Sequence, residues 1–181
     1  MSKDLIDYSK LLHVLDSTAF IGLDFPILQS IEVKKFLTAH SVIEELKDFR
    51  SRMNFDVMLQ TNKLEVSSPN PQNFRKLKTK IHKIDPNTRL SDTDIQVLTL
   101  AWQVKGVLVT NDLTLQNIAK QLKVTTRVIS GKGIKVIRKS SLRCMSCKRT
   151  FRVSGQHCPE CGGILKQYFS TSNSNDLLGK E

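Results

Sequence analysis

The sequence predicts an α/β protein: a mostly parallel central sheet flanked by helices, followed by a small C-terminal zinc ribbon. Three observations carry this. Short apolar runs with strand character alternate with helical stretches over the first 130 residues. All four cysteines fall between 144 and 161, as two Cys-x-x-Cys pairs separated by ten residues. Apolar residues make up 39% of the chain, enough to bury a core.

The elements follow in order. "LLHVLD" (11–16) is a short apolar run that ends in an acid and reads as a buried strand. "KKFLTAH" leads into "SVIEELKDFRSR", a helix with Ser41 as its expected N-cap. "NFDVMLQTN" reads as another helix, and "LEVSS" as a short strand. "PNPQNFRKLKTKIHKID" is a basic helix flanked by prolines. "LSDTDIQVLTLAW" (90–102) is a helix opened by Ser91. Strand "GVLVT" (106–110), helix "LTLQNIAKQL" and strand "TRVIS" complete the alternation. Strand order is not encoded in this pattern.

"GKGIKVIRKSSLR" (131–143) reads as a basic connector with a short strand inside it. Gly131 and Gly133 lack the strand–loop–helix setting of a phosphate cradle and read as a hinge. The expected organisation is an α/β domain over 1–130, a connector over 131–141, a ribbon over 142–169 and a polar, mobile tail over 170–181. No apolar run is long enough to cross a bilayer. The N-terminus mixes acids into its apolar residues and has no cleavage-site pattern, so a soluble cytoplasmic protein without membrane association is expected.

The formal net charge of +11 is unevenly placed. Residues 1–122 hold 16 Lys/Arg against 14 Asp/Glu, whereas 123–169 hold 11 Lys/Arg against one acid, Glu160. A near-neutral body with a strongly basic C-terminal third points to a polyanionic partner, nucleic acid first. Evenly scattered lysines would have meant only solubility.

"CMSC" (144–147) and "CPECGG" (158–163) place Cys144, Cys147, Cys158 and Cys161 to wrap one tetrahedral Zn²⁺. Four protein thiolates close the coordination shell, so the site is structural, and His157 beside it reads as a loop residue. The segment is too small to build its own core, so the metal supplies most of its folding free energy. Lys135, Arg138, Lys139, Arg143, Lys148, Arg149 and Arg152 surround the knuckles, with Phe151 among them. Basic side chains beside an aromatic suit a nucleic-acid backbone.

Acids that sit where an acid is costly mark the candidate site. Asp16 directly follows the first strand, and Asp112 follows "GVLVT" by one residue. Carboxyl ends of parallel strands face the ligand crevice, although either acid alone is as well explained as a helix cap. On a helical wheel of about 100° per residue, Val42, Ile43, Leu46 and Phe49 form an apolar face. Glu45 flanks that face and Glu44 points away. The same wheel puts Ile95, Val97, Leu98, Ala101 and Trp102 inward, with Asp94 near the centre and Asp92 in solvent. Asp94 also suits the N3 position of a capping box. Asp16, Glu45, Asp94 and Asp112 would repel one another if brought together. A hard cation, Mg²⁺ or Mn²⁺, removes that conflict and can clamp a phosphodiester. Acid cluster and basic surface together indicate a metal-dependent nuclease.

"VLDSTAFI" (14–21), "SVIEELKD" (41–48), "LSDTDIQVLTLA" (90–101) and "TNDLTLQNIA" (110–119) resemble the four acidic motifs of PIN-domain nucleases, in order. With a zinc ribbon following, residues 11–165 resemble the archaeal Nob-type ribosomal RNA maturation endonucleases. The resemblance implies that Asp16, Glu45, Asp94 and Asp112 are the catalytic, metal-binding acids. It implies cleavage of precursor small-subunit (16S-type) rRNA near its 3′ end, within a pre-small-subunit particle and its assembly factors. Two other readings stand beside it. One is a toxin-type PIN ribonuclease acting on mRNA or tRNA, which the ribbon argues against. The other is a non-catalytic RNA-binding assembly factor whose acids only cap helices.

Overall fold

The computed structural model describes residues 10–22, 33–129, 133, 137–151 and 155–172. These fall into two compact units, one drawn from 1–77 and 90–133, the other from 78–89 and 134–181.

The first unit is built on five parallel strands. They are β1 (Leu12–Leu15), β2 (Lys35–Thr38), β3 (Leu64–Val66), β4 (Val107–Val109) and β5 (Thr125–Arg127), in the order β3-β2-β1-β4-β5. The chain builds outward from β1 on one side, then returns to lay β4 and β5 on the other. The order therefore reverses between β1 and β4. Val14 and Leu15 of β1 and Val107 and Leu108 of β4 are fully buried, as expected of strands covered on both faces. Among the described residues the helices are α1 (Ser17–Gly22), α2 (His40–Glu45), α3 (Phe49–Gln60), α4 (Pro71–Ile84), which the division between the units splits after Leu77, α5 (Asp92–Gln103) and α6 (Leu113–Gln121). None is long and apolar enough to cross a membrane.

Local chemistry explains the boundaries. Ser91 caps α5 and Asp112 caps α6, each side chain accepting backbone N–H groups of the first turn. Gly106 joins α5 to β4 where a Cβ would lie 2.5 Å from the Leu12 carbonyl oxygen, so only glycine lets the turn press against β1.

Three expectations need correction. Residues 35–38 are a strand and not a lead-in, because they insert between β1 and β3. The following helix starts at His40, with Ala39 at the N-cap position and no side-chain cap; Ser41 instead hydrogen-bonds Gln96 at 3.3 Å. That helix stops at Glu45. Phe49 opens a separate helix, capped by Asp48, that takes in the "NFDVMLQ" segment. Phe49 is 82% exposed, so it is not part of the Val42–Leu46 face.

The second unit carries an antiparallel sheet of order β7-β6-β8. Its strands are β6 (Ile137–Cys144), β7 (Thr150–Phe151) and β8 (Leu165–Ser172). Strand β6 covers part of the expected connector, and β8 reaches into the expected tail. Leu142, Cys144, Cys158 and Leu165 form its small core, with Cys147 and Phe151 packed against it. Phe151 thus serves packing within this unit.

Candidate functional site

The reversal of strand order places a crevice at the carboxyl ends of β1 and β4, where open α/β sheets bind ligands. Asp16 leaves β1 there and is 1% exposed. Its Oδ1 accepts the Ser17 N–H at 2.7 Å. Its Oδ2 accepts two hydroxyls, Thr18 at 2.9 Å and Thr110 at 2.7 Å. A buried carboxylate is tolerable only when paired in this way.

Thr110 and Thr18 tie β1 to the loop after β4. The Thr110 hydroxyl donates to Asp16 and accepts the Asp112 N–H at 3.0 Å; the Thr18 hydroxyl accepts the Asn111 N–H at 3.0 Å. Asp112 therefore sits one hydroxyl away from Asp16. Its own Oδ1 caps α6, accepting from Thr114 N at 2.6 Å and Leu115 N at 3.1 Å. Neither threonine stands out in the sequence. The available signal was a hydroxyl residue within two positions of each strand-end acid, in "DST" and "TND".

Asp94 occupies N3 of α5 and completes a capping box. Its Oδ2 accepts the Ser91 N–H and hydroxyl, both at 2.8 Å, while Ser91 Oγ accepts the Asp94 N–H at 3.1 Å. Burial raises the Asp94 pKa above the ordinary carboxylate value, and the charges of Asp16 and Asp112 push the same way. Asp92 is exposed, as its place on the wheel requires. The electrostatics thus link three of the four expected acids.

Glu45 is different. It ends α2 in an exposed position, and among the described residues no hydrogen bond or ion pair joins it to the other three. Glu44 is exposed too, so burial does not separate the pair. No three carboxylates among the described residues bring ligand atoms within 4.8 Å of one another. Asp94 and Asp112 are each held in a local helix cap, and Asp16 by Ser17, Thr18 and Thr110.

The cysteines do converge. The four sulfurs lie within 4.8 Å of one another, with Cys144–Cys161 at 3.5 Å and Cys147–Cys158 at 3.7 Å. Thiolates about 2.3 Å from a tetrahedral ion stand roughly 3.8 Å apart, so the cage has the size of a metal site. Its two knuckles repeat the same bonds. Lys148 N donates to Cys144 O at 3.1 Å, as Gly162 N does to Cys158 O at 2.9 Å. Cys144 N donates to Arg149 O at 2.9 Å, as Cys158 N does to Gly163 O at 2.7 Å. The residue after each second cysteine takes a positive φ, 62° at Lys148 and 71° at Gly162. The Cys147 N–H donates to Cys144 Sγ at 3.4 Å and helps bring that thiol down to about 6, whereas burial and the neighbouring thiols push Cys147 up to about 11.

The basic residues expected to meet RNA are only partly engaged elsewhere. Arg149 pairs with Glu160. Arg143 lies 5.4 Å from the Tyr168 ring centroid and donates to Lys148 O at 3.2 Å; Lys148 Nζ donates to Met145 O at 2.6 Å. All three remain exposed. Lys135 and Arg152 lie outside the described residues, as do the side chains of Arg138 and Lys139.

Residues 13–104 match the family described as "PIN domain of ribonuclease". The chain is 31% identical over 159 residues to Endoribonuclease Nob1 of Pyrococcus abyssi, covering 87% of this chain and 93% of that protein. To Endoribonuclease Nob1 of Methanothermobacter thermautotrophicus it is 31% identical over 158 residues, covering 84% and 90%. Ribonuclease VapC1 of Thermoplasma acidophilum is 28% identical over 164 residues, covering 91% and 81%. A sheet with acids at its reversal point, a four-cysteine cage after it, and matches that run through both place the chain in a family: it belongs to the Nob1 endoribonucleases, among the PIN-domain ribonucleases.

Proposed function

We propose that the chain cuts precursor small-subunit rRNA near its 3′ end, working in the cytoplasm on the pre-small-subunit particle with its assembly factors. The observation that carries this is the aspartate edge of the sheet, where Asp16, Asp94 and Asp112 bear on one another. Ribosomal RNA is favoured over other RNA by the order of PIN domain then ribbon. The ten net positive charges of residues 123–169 supply the backbone affinity.

Mg²⁺ or Mn²⁺ is held by Asp16, Asp94 and Asp112, with Glu45 as the fourth acid, and Zn²⁺ by Cys144, Cys147, Cys158 and Cys161. The donor set fits a hard cation. All donors are oxygens, and while burial is the main cause that raises Asp94, the charges of Asp16 and Asp112 that add to it are what a cation relieves. Mg²⁺ keeps several waters and takes only one or two carboxylates directly, so the acids need not converge to chelating distance. Bound there, the ion would lower the pKa of a water and clamp the phosphodiester.

The chain's own residues orient this centre. Asp16 is held in place through both oxygens, Oδ2 by the Thr18 and Thr110 hydroxyls and Oδ1 by the Ser17 N–H and, at 3.4 Å, the Ser17 hydroxyl. Asp94 and Asp112 each spend one oxygen on a helix cap, Oδ2 and Oδ1, which fixes the carboxylates that would hold the ion. Arg143, Lys148 and Arg149, with Lys135, Arg138, Lys139 and Arg152, hold phosphates other than the scissile one.

The test is cleavage of an RNA spanning the mature small-subunit 3′ end, with Mn²⁺ and then with EDTA. A cut near that end, lost in EDTA and restored by Mn²⁺, is expected. Preferential cutting of mRNA or tRNA supports the toxin-type reading, which the VapC1 match keeps in play. No cleavage of any RNA under assembly conditions supports a binding factor.

A further inference from the structure

A cleft of about 570 Å³ opens at the other edge of the parallel sheet, where α5 turns into β4 and α6 turns into β5. Its volume is in the range of small-ligand sites. Ala101, Leu122 and Val124 give it a buried apolar floor. Trp102, expected from its place on the wheel to face fully inward, is only half-buried and forms a wall. Lys105 and Lys123 stand exposed on the rim. No acidic residue lines the cleft, and among the described residues neither lysine makes an ion pair.

The two lysines occupy equivalent places. Each is the second residue past its helix and precedes the next strand by two positions. Each takes a left-handed backbone, φ 51° at Lys105 and 59° at Lys123, where glycine is the usual occupant. The pairing of Val107 with Thr125 sets these turns side by side, about one strand spacing of ~4.8 Å apart. A cation at a helix C-terminus is favourable by itself. That role requires neither an aromatic wall nor a hollow between the two charges. Gln103 adds a polar contact: its Oε1 accepts from Asn70 N and Asn73 Nδ2, both at 3.0 Å, which leaves its Nε2 hydrogens as the free donors of the rim.

An aromatic face, an apolar floor and two neighbouring cations are the parts from which unpaired nucleotides are bound. We propose that this cleft is a second RNA site, taking one unpaired nucleotide of the substrate with its base against Trp102 and its phosphate between Lys105 and Lys123. It lies at the amino ends of the strands, so it holds RNA remote from the scissile bond. The proposal rests on the chain acting on RNA, but not on which RNA is cut.

Trp102 is the sole tryptophan, so it reports on its own site. The zinc-loaded full chain, without added Mg²⁺ or Mn²⁺ so that no cutting occurs, is titrated with an oligouridylate of about ten nucleotides, within single-strand site sizes. Tryptophan emission should be quenched saturably. The double variant Lys105→Gly, Lys123→Gly removes both charges at positions where glycine is conformationally at ease, so folding is preserved. Its affinity should fall at least about tenfold. The slope of log affinity against log salt should shrink by about 0.7, for the one phosphate left without its cations. Absent quenching, or quenching with the same affinity and salt slope in the double variant, overturns the proposal. An RNA spanning the mature small-subunit 3′ end that quenches Trp102 but is not cut when Mn²⁺ is added defeats the cleavage proposal alone. RNA that is cut without quenching defeats this one alone.

Discussion

Asp94 combines a structural and a chemical role, and substitution separates them. Asp94→Asn removes the charge but keeps an oxygen at N3 for the Ser91 N–H, so most of the capping box survives. Asp94→Ala removes both, at a cap loss of about 1 kcal/mol. The wild-type carboxyl titrates above its unfolded value because of burial and the charges of Asp16 and Asp112. The folded state therefore holds the proton more tightly than the unfolded state does. Its stability falls as pH rises from the ordinary aspartate range through the raised pKa. Asp94→Asn abolishes that fall, so at neutral pH it should be as stable as wild type or more stable. Cleavage should move the other way. A metal clamp contributes several kcal/mol to the transition state, and losing about 3–4 of them slows the cut roughly 10²–10³-fold at 1.36 kcal/mol per decade. Urea melts at two pH values give the first quantity, and single-turnover cleavage in Mn²⁺ gives the second. A wild-type rate in Asp94→Asn at saturating Mn²⁺ would refute the metal role. Destabilisation beyond about 2 kcal/mol would show the acid to be chiefly a cap.

Two further outcomes are expected of the cysteine unit. Lys148→Gly should stabilise it by about 1 kcal/mol, since glycine takes the φ of 62° without the cost lysine carries and Gly162 already does so at the equivalent position. Thermal melts of the zinc-loaded chain read this, and a lowered transition would show that the Lys148–Met145 bond outweighs the backbone term. Chelating zinc, or Cys158→Ser, should unfold the knuckles and weaken RNA binding while the parallel-sheet unit keeps its helical circular dichroism. Concerted loss of both signals would mean the two units do not fold independently.

Several features were legible from spacing because their physics is local. Two Cys-x-x-Cys pairs suffice to wrap one ion, whatever surrounds them. The Ser91–Asp94 capping box spans four residues, and Asp94 sits on the inward side of a helix that is buried almost all round. The apolar runs of β1 and β4 could be read because a fully covered strand needs no partner to look like one.

Other features were not legible, for a common reason. "KFLT" has four residues and no period, so it became recognisable as β2 only through its ladders to β1 and β3. Ser41 looked like a cap because the start of its helix was misplaced by that missing strand. Thr110 looked like the end of a strand, yet its hydroxyl joins two acids, one of them 94 positions away in sequence. Trp102 followed the apolar stripe and opened onto a cleft. Order along the chain was enough to show which acids stand at the ends of elements and which four thiols come together. Folding in three dimensions chose their company: Asp16, Asp94 and Asp112 at one edge, Glu45 exposed beside no described partner, and two lysines around Trp102 at the other edge. Parallel pairing joins segments tens of residues apart through backbone hydrogen bonds that any side chain permits, so no local pattern records it.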